Sequence, residues 1–337
     1  MTKEQINKLI SEGQFPCKGR PDLVETHISW VLIGEQFVYK IKRPVHYSFI
    51  DFSTIEKRKY YCEREIELNR RLTSDLYLDV AAIWEDSGHL SINSQTGKII
   101  DYAVRMKRID RSRQMDILLS ENKITRTDIC NLAKVIADFH KRTDIIYDTD
   151  PLRIMDDFRD LMKQKEYVSN QLGASYAAVM QESIDGSDVF VVRNKDFLHE
   201  RLNAGFFRDG HGDLHSRNIF FLPEPEPFDC IEFNDDYRRI DVLNEVAFLC
   251  MDLEAFGSPE FSGLFINTYN LLFPCMQGKQ GFDLFTYYKG YRANVRAKVN
   301  SLRARSATND QDRRSALVET DKYLQLMNGY MKRIRVA

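Results

Sequence analysis

A run of polar residues suited to phosphate or metal chemistry lies at 211–218, where the sequence reads His-Gly-Asp-Leu-His-Ser-Arg-Asn. Two apolar runs joined by a proline-rich turn follow it, and they predict a hairpin whose second strand covers 228–233. This arrangement would bring Asp213, Asn218 and Glu232 within reach of one another. Two carboxylates and a carboxamide are hard oxygen ligands, which suit Mg²⁺ and its phosphate ligands better than zinc.

The same residue types are also common in ordinary turns, which is the simplest alternative. Three features argue against it: two histidines flank Asp213, an asparagine stands five residues after it, and acidic Glu232 interrupts an apolar strand pattern. A motif in a consistent strand context is more informative than the same letters alone. We therefore expect a functional loop.

A second candidate group lies nearer the N-terminus. The strand predicted over 36–42 carries Lys40 and Lys42 two positions apart, so both side chains point to one face. An exposed edge strand could carry such lysines to prevent aggregation. Alternatively, one of them binds phosphate and is held by a carboxylate, and the helix predicted over 54–72 offers Glu65, which shares the spacing of its apolar residues.

The surrounding patterns predict an α+β protein with two lobes. Residues 1–106 form a β-rich lobe with one main helix, 107–113 a charged connector, and 114–337 a mostly helical lobe that contains the polar loop. Strands are predicted at 26–33, 36–42, 77–84, 89–92 and 99–106, which would make a five-stranded sheet.

Apolar periodicity predicts helices through most of the second lobe. After the loop they are expected at 241–256, 261–272, 282–305 and 316–335. Before it, a helix over 125–142 places His140 at the edge of an apolar stripe, where a packed histidine is more common than a ligand.

Composition excludes several classes of partner. The 337 residues include 48 basic and 50 acidic side chains, and a net charge of -2 gives no general attraction to nucleic acid or anionic membranes. No apolar leader or membrane-length run occurs, so we expect a cytoplasmic protein without a membrane partner. One basic cluster favours a solvated helix face or the wall of a site for an anionic substrate over nucleic-acid binding; it comprises Arg292, Arg296, Lys298, Arg303 and Arg305.

Cysteine usage indicates reduced, buried thiols, since no two cysteines are spaced for zinc or for a redox pair. The six are Cys17, Cys62, Cys130, Cys230, Cys250 and Cys275.

The loop sequence His-Gly-Asp-Leu-His-x-x-Asn resembles the catalytic loop of the aminoglycoside phosphotransferase-like branch of the protein-kinase-like superfamily. More narrowly, segments 25–30, 39–44, 209–215 and 251–253 resemble an uncharacterised bacterial subfamily of kinase-like proteins. Some of its members carry an additional C-terminal P-loop ATPase domain, and no Walker-type loop occurs in this sequence. The resemblance implies a two-lobed kinase fold and ATP- and Mg²⁺-dependent transfer of the γ-phosphoryl group to a hydroxyl of a small molecule.

The resemblance also implies roles for the loop residues. Asp213 corresponds to the catalytic aspartate that orients or deprotonates the acceptor hydroxyl, and Asn218 to the metal-binding asparagine. His215 stands where a protein kinase often has a lysine near the transferred phosphate, and His211 matches the structural histidine of the loop. Asp241, together with Glu245, corresponds to the acidic pair that braces the loop.

On the nucleotide side, Lys40 resembles the strand lysine that holds the α- and β-phosphates and pairs with a helix glutamate, here Glu65, while Lys42 competes for that role. The segment from Thr26 to Ser29 falls where such folds cover the phosphates, and it has no glycine-rich sequence. Contact of the backbone with the phosphates would therefore be looser, or the hydroxyls of Thr26 and Ser29 would replace it.

The backbone of 103–107, including Met106, would form the adenine-binding segment in such a kinase. Helices within 145–205 and 258–305 would determine the acceptor.

One departure from the family pattern concerns the metal site. The resemblance places Glu232 where the Asp-Phe-Gly-like motif has its metal-binding aspartate, and Asn234 replaces the glycine. A glutamate is longer by one methylene but still supplies anionic oxygens. The alternative is therefore a nucleotide-binding, pseudokinase-like regulatory protein with little or no turnover.

Overall fold

The computed structural model describes residues 1–15, 19–47, 50–92, 94 and 96–336, so Cys17 lies outside the described residues. Its strands, in chain order, are β1 Asp22–Glu25, β2 Ser29–Ile33, β3 Phe37–Lys42, β4 His46–Tyr47, β5 Ile50–Asp51, β6 Tyr77–Asp86, β7 His89–Ile92, β8 Lys98–Lys107, β9 Phe207–Asp209, β10 Ile219–Leu222, β11 Glu224–Pro227 and β12 Arg239–Asp241. Its α-helices are α1 Lys3–Glu12, α2 Ile55–Asn69, α3 Met115–Ser120, α4 Arg126–Arg142, α5 Ile154–Arg159, α6 Lys165–Leu172, α7 Ser175–Arg193, α8 Lys195–Asn203, α9 Val242–Ala255, α10 Pro259–Leu272, α11 Gly278–Ser306 and α12 Asp310–Val336.

The chain divides into two compact units. The first contains Met1–Leu118 and Asn218–Tyr237, and the second contains Leu119–Arg217 and Arg238–Ala337. A β-rich N-terminal region and a mostly helical C-terminal region confirm the predicted α+β class. The lobe boundaries predicted at 106 and 113 remain a prediction.

The first unit is built on an antiparallel sheet of six strands in the order β1-β2-β3-β8-β6-β7. Five of these strands lie at predicted positions. The additional strand is Asp22–Glu25, which pairs with β2 at the sheet edge. Its residues are mostly exposed, so it carries no apolar alternation from which it could have been predicted.

Alternation along β3 gives the two faces of the sheet different roles. Tyr39 and Ile41 are buried in a cluster that also contains Ile6 and Leu9 of α1. The intervening residues of β3 point to the opposite face, where Val38 packs with residues of α2 in a second cluster. Period-two alternation therefore places both lysines of β3 on the face covered by α2.

The hairpin after the polar loop differs from the prediction. Its second strand is Glu224–Pro227, paired with β10, and residues 228–233 are not a strand. Proline cannot donate to a strand partner, but Pro225 and Pro227 alternate with glutamates, so their nitrogens lie on the outer edge of the hairpin. The predicted position of Glu232 within a strand is therefore wrong.

The second unit consists mainly of helices, and all four helices predicted after the loop are confirmed with small shifts of their ends. Every residue of α9 from Val242 to Leu253 is buried. The helix packs against α10 and α11, and α11 packs along α12. In the described residues, no helix is both long and apolar enough to cross a membrane.

Candidate active site

The first unit contains a chain of alternating charges on the face of the sheet covered by α2. Lys40 Nζ donates to Glu65 Oε1 at 2.9 Å and to Asp229 Oδ1 at 2.6 Å. Lys42 Nζ donates to the other oxygen of Glu65, Oε2, at 2.7 Å and also bonds to Glu232. Glu65 therefore connects the two lysines, and each lysine binds one carboxylate from the segment after the hairpin.

Exposure distinguishes the two lysines. The side chains of Lys42 and Glu65 are fully buried, whereas Lys40 is 15% exposed and its partner Asp229 is 43% exposed. Burial would raise the pKa of Glu65, but the charges of Lys40 and Lys42 outweigh it and lower the pKa to about 2. For Lys40, burial is outweighed by Asp229 and Glu65, so its pKa is raised. Both lysines are charged at neutral pH, and Lys40 is the more accessible of them.

The two predicted metal ligands, Asn218 and Glu232, both belong to the first unit, and both are buried. Burial raises the pKa of Glu232, although the charge of Lys42 acts in the opposite direction. Asp213, the third member of the predicted oxygen set, belongs to the second unit. Within the described ranges, no three or more His, Cys, Asp or Glu side chains are grouped to hold a metal ion. A carboxamide with one or two carboxylates still suits Mg²⁺, which usually takes its other ligands from water and substrate phosphates.

Asp229 is a contact of Lys40 that the sequence analysis missed. Its backbone has φ +63°, a left-handed conformation that is uncommon for residues other than glycine. The Asp229 N–H donates to the Tyr77 hydroxyl, and the next N–H, from Cys230, donates to Asn69. These contacts hold the carboxylate against Lys40. The position was missed because the segment was predicted to be a strand.

The other predicted nucleotide contacts are largely engaged within the protein. Thr26 Oγ1 donates to the Ser29 carbonyl at 3.0 Å and accepts from the Ser29 N–H at 2.9 Å. The Ser29 hydroxyl is buried and, in the part of the chain that the structure describes, has no hydrogen-bond partner. Met106 is buried on β8, where it lies opposite Val38 on one side and Tyr77 on the other.

In the second unit, Glu245 holds the start of the polar loop. Its carboxylate accepts from the His211 N–H at 2.8 and 3.0 Å and from the Gly212 N–H at 3.1 Å. It also contacts His140 Nε2 at 3.0 Å. Burial would raise the pKa of Glu245, but the contact with His140 outweighs it and lowers the pKa to about 2. The fully buried His140 is thus a packed histidine, as expected, and it supports Glu245.

Gly210 is required for this close approach. A Cβ atom at this position would lie 2.1 Å from Glu245 Oε2, closer than any non-bonded contact permits. The glycine before His211 therefore allows the carboxylate to reach the loop backbone.

Asp213 carries the single carboxylate of the loop 211–218, and 38% of its side chain is accessible. Its N–H donates to His211 Nδ1 at 3.2 Å, and its Oδ2 lies 3.4 Å from His215 Nε2. Burial would raise the pKa of Asp213, but His215 and Arg296 outweigh it and hold the pKa well below its ordinary value. Asp213 is therefore an anion at neutral pH and a weak base.

Asp241 begins helix α9 and is held by two other helices. Its side chain accepts from the Leu243 N–H at 2.9 Å, which caps the helix. Arg201 donates to both of its oxygens, at 2.6 and 2.7 Å, and the Tyr288 hydroxyl donates at 3.2 Å. This buried group fixes the end of the helix that carries Glu245.

Asp252 is a second anchor of the loop, and the sequence analysis assigned it no role. It accepts from the Ser216 N–H at 2.9 Å and from the Ser216 hydroxyl at 2.5 Å, and Tyr323 donates to its other oxygen at 3.2 Å. Glu245 and Asp252 lie seven residues apart on α9, close to two full helical turns, so they share one face. That spacing is the signal from which Asp252 could have been found.

Three curated relatives of this chain are described as uncharacterised proteins. No family model matches the chain. One protein from Mycobacterium bovis and proteins from two strains of Mycobacterium tuberculosis are each 30% identical over 293 residues, which cover 84% of this chain and 55% of the relative. The chain thus spans about half the length of the curated relatives it matches.

Solved structures show what the fold is. A choline/ethanolamine kinase family protein from Mesorhizobium loti superposes with a TM-score of 0.54 at 12% identity, covering 100% of both chains. Choline kinase from Cryptosporidium parvum Iowa II gives 0.54 at 11% identity, covering 93% of this chain and 90% of that one. A GDP complex of an aminoglycoside 2'-phosphotransferase-IIIa variant gives 0.52 at 12% identity, covering 98% and 97%. The resemblance predicted from the loop is confirmed at the level of the fold: the chain has the protein-kinase-like fold of choline/ethanolamine kinases and aminoglycoside phosphotransferases.

Proposed function

We propose that the protein is an ATP- and Mg²⁺-dependent phosphotransferase that moves the γ-phosphoryl group to a hydroxyl of a small-molecule acceptor. The observation that carries the proposal is the anchoring of the Asp213 loop. Glu245 holds its beginning at two backbone N–H groups, and Asp252 holds Ser216 further along. Between these anchors the carboxylate of Asp213 stays exposed and ionised. A rigid loop that presents one anion is what orientation of an acceptor hydroxyl requires.

In the proposed reaction, the acceptor hydroxyl donates a hydrogen bond to Asp213. The acceptor oxygen forms a bond to the γ-phosphorus as the bond to the β-phosphate oxygen breaks, and ADP leaves. Because the pKa of Asp213 is low, the carboxylate mainly orients the hydroxyl and takes its proton late in the transfer.

Lys40 is the proposed contact for the nucleotide phosphates. Lys40 is the more accessible lysine of the pair, and its ion pair with the buried carboxylate of Glu65 fixes its position. Lys40 already donates to an anionic oxygen of the exposed Asp229 carboxylate, so a phosphate oxygen could bind at the same position. Lys42, which is fully buried, would support Glu65 rather than bind the nucleotide.

Asn218 and Glu232 are the proposed Mg²⁺ ligands. Asp229, three residues before Glu232 in the sequence, offers a further and more exposed carboxylate. When bound, Mg²⁺ would neutralise charge on the nucleotide phosphates. A nucleotide is also the ligand named for one of the similar solved structures, the GDP complex of the aminoglycoside 2'-phosphotransferase-IIIa variant.

The test is ADP formation from ATP in the presence of a panel of sugars, amino alcohols and hydroxy acids. Asp213→Asn should reduce turnover by at least about a hundredfold, the contribution typical of a positioned general base. Asp138→Asn, on an exposed helix surface with a 48% exposed side chain, is the matched control and should leave turnover unchanged. Equal turnover in wild type and Asp213→Asn would remove Asp213 from the mechanism.

A second function is a nucleotide-binding regulatory protein without turnover. The bond between Lys42 and Glu232 favours it, because the lysine occupies an oxygen of a proposed metal ligand. Thermal stabilisation by ATP with no ADP formed from any acceptor would support this alternative.

A further inference from the structure

Helix α11 places two buried arginines beside the Asp213 loop. Arg292 is 5% exposed and Arg296 is 9% exposed, and they stand four residues apart on one face of the helix. Arg292 Nη1 donates to the Gly212 carbonyl at 3.1 Å. Arg296 Nη1 lies 3.4 Å from His215 Nε2. Both guanidinium groups therefore contact the loop that carries Asp213.

Neither arginine forms an ion pair with a carboxylate among the described residues. Arg292 uses Nε for Asn244 Oδ1 at 2.8 Å, and Arg296 Nε has no hydrogen-bond partner there. The other arginines described as buried are all paired: Arg58 with Asp101, Arg201 with Asp241 and Arg238 with Asp209. A buried guanidinium without a counter-ion is unfavourable, so the two arginines of α11 are exceptions that need an explanation.

Contacts with aromatic rings stabilise only part of the guanidinium groups of Arg292 and Arg296. The guanidinium carbon of Arg292 lies 4.8 Å from the ring centroid of Phe248, and that of Arg296 lies 5.4 Å from Tyr323. Such contacts use the flat face of the guanidinium. Arg292 already uses Nε and Nη1 for protein oxygens, whereas Nε of Arg296 has no hydrogen-bond partner among the described residues and can still bind an anion. A planar group held in this way can recognise a carboxylate or phosphate through two parallel hydrogen bonds.

The nearby acids are engaged elsewhere or lie beyond ion-pair distance. Asp252 accepts from Ser216 and Tyr323, and Asp213 Oδ2 lies 3.4 Å from His215. Burial opposes the charge of Arg296, but Tyr323, Asp252 and Asp213 outweigh it, so its pKa is raised. Arg296 is therefore a charged group that, within the described ranges of the chain, has no carboxylate at ion-pair distance.

We propose that the acceptor is an anionic hydroxylated molecule whose carboxylate or phosphate is bound by Arg296, with Arg292 beside it. This inference rests on the proposed function, because it names the class of acceptor whose hydroxyl Asp213 orients. The contact of Arg296 with His215, two residues from Asp213, places the anion next to the reacting hydroxyl. The acceptor would thus carry its negative group close to the hydroxyl that receives the phosphoryl group.

The test measures binding to the full chain without nucleotide, by calorimetry. The probes are inorganic phosphate and D-glycerate as anions, glycerol as the neutral analogue and choline as the cation. We expect saturable binding of at least one anion and at least about tenfold weaker binding of glycerol and choline, since charge-assisted hydrogen bonds are lost. Arg296→Met should weaken anion binding at least about tenfold, and Arg296→Lys should retain part of it.

Two further variants identify the site. Arg305→Met removes an exposed arginine of the same helix and should leave binding unchanged. Loss of anion binding in Lys40→Met but not in Arg296→Met would place the anion with the nucleotide phosphates and overturn the inference. Equal or tighter binding of choline, or no saturable binding of either anion at millimolar concentration, would overturn it too.

The inference and the proposed function can fail separately. Asp213-dependent phosphorylation of a neutral or cationic acceptor, unaffected by Arg296→Lys, would refute the anionic acceptor and keep the phosphotransferase. Arg296-dependent anion binding without any ADP formation would refute the phosphotransferase and keep the anion site.

Discussion

Lys42 Nζ donates to Glu65 Oε2 at 2.7 Å, and both side chains are completely buried. On the same carboxylate, Oε1 accepts from Lys40, which is partly exposed. Lys42 therefore stabilises the Glu65 carboxylate inside the protein, while Lys40 is accessible to a ligand.

Replacing Lys42 should lower the free energy of unfolding. Lys42→Met would leave the buried carboxylate of Glu232 without its lysine, and removal of one partner of a buried ion pair typically costs about 3–5 kcal/mol. Urea unfolding should show that loss in the free energy of unfolding. The double variant Lys42→Met with Glu232→Leu should recover much of it, because an apolar pair of similar volume can replace a buried ion pair. A double variant as unstable as the single one would contradict this explanation.

Replacing Lys40 should affect nucleotide binding more than stability. Lys40→Met leaves Glu65 bonded to Lys42, and the former partner Asp229 is exposed enough to be solvated. We expect the variant to unfold in urea near the wild-type midpoint and to lose the rise in melting temperature that Mg²⁺-ATP produces. Lys59→Met, with a 47% exposed side chain on α2, is the matched control and should keep that rise. A normal rise in Lys40→Met would exclude Lys40 from phosphate binding.

The dependence of nucleotide binding on Mg²⁺ should identify the metal-binding carboxylates. Asp229→Asn and Glu232→Gln are both expected to reduce the difference in melting temperature between Mg²⁺-ATP and ATP with EDTA. The effect of Asp229→Asn should be larger, because Glu232 already shares an oxygen with Lys42, whereas Asp229 is 43% exposed. An unchanged Mg²⁺ difference in both variants would remove these carboxylates from the metal site.

Protonation of Glu245 should loosen the Asp213 loop at low pH. The pKa of Glu245 is lowered to about 2 from an ordinary value of 4.5, so its contribution to stability is complete above 4.5 and is lost as pH falls towards 2. Glu245→Gln should therefore reduce the free energy of unfolding by roughly 3 kcal/mol at pH 7, from a pKa difference of that size. Urea unfolding between pH 7 and pH 3 should show the gap between wild type and variant narrowing as pH falls. A constant gap would indicate that the charge of Glu245 is unimportant.

Local sequence patterns were sufficient to predict much of the candidate site. Period-two alternation placed Lys40 and Lys42 on one face of a strand, and helical spacing selected Glu65 as their partner; the structure shows both contacts. The strand and helix patterns predicted the α+β class, and the resemblance carried by the loop motif predicted the protein-kinase-like fold; both are confirmed. These features depend on residues that are neighbours in the chain or lie within one element.

Proline chemistry limited the prediction of the hairpin. The sequence around Pro225 predicts a turn, since proline cannot donate a strand hydrogen bond. The structure uses it as β11, and this shifts Asp229 to the contact with Lys40. The sequence pattern could not show which edge of the strand the proline nitrogens would face.

The sequence by itself thus determined the fold class, the shared face of the two lysines and the choice of Glu65 as their partner, since periodicity and motif spacing are local. Only the tertiary structure decided that Lys42 is buried while Lys40 is accessible, and that Asp252 anchors Ser216. It also decided that Arg292 and Arg296 lie against the loop with no carboxylate partner in the part of the chain that the structure describes. The physical reason is distance along the chain: Arg296 and His215 are separated by 81 residues. Burial and the absence of a counter-ion are set by packing between helices, which no local pattern encodes.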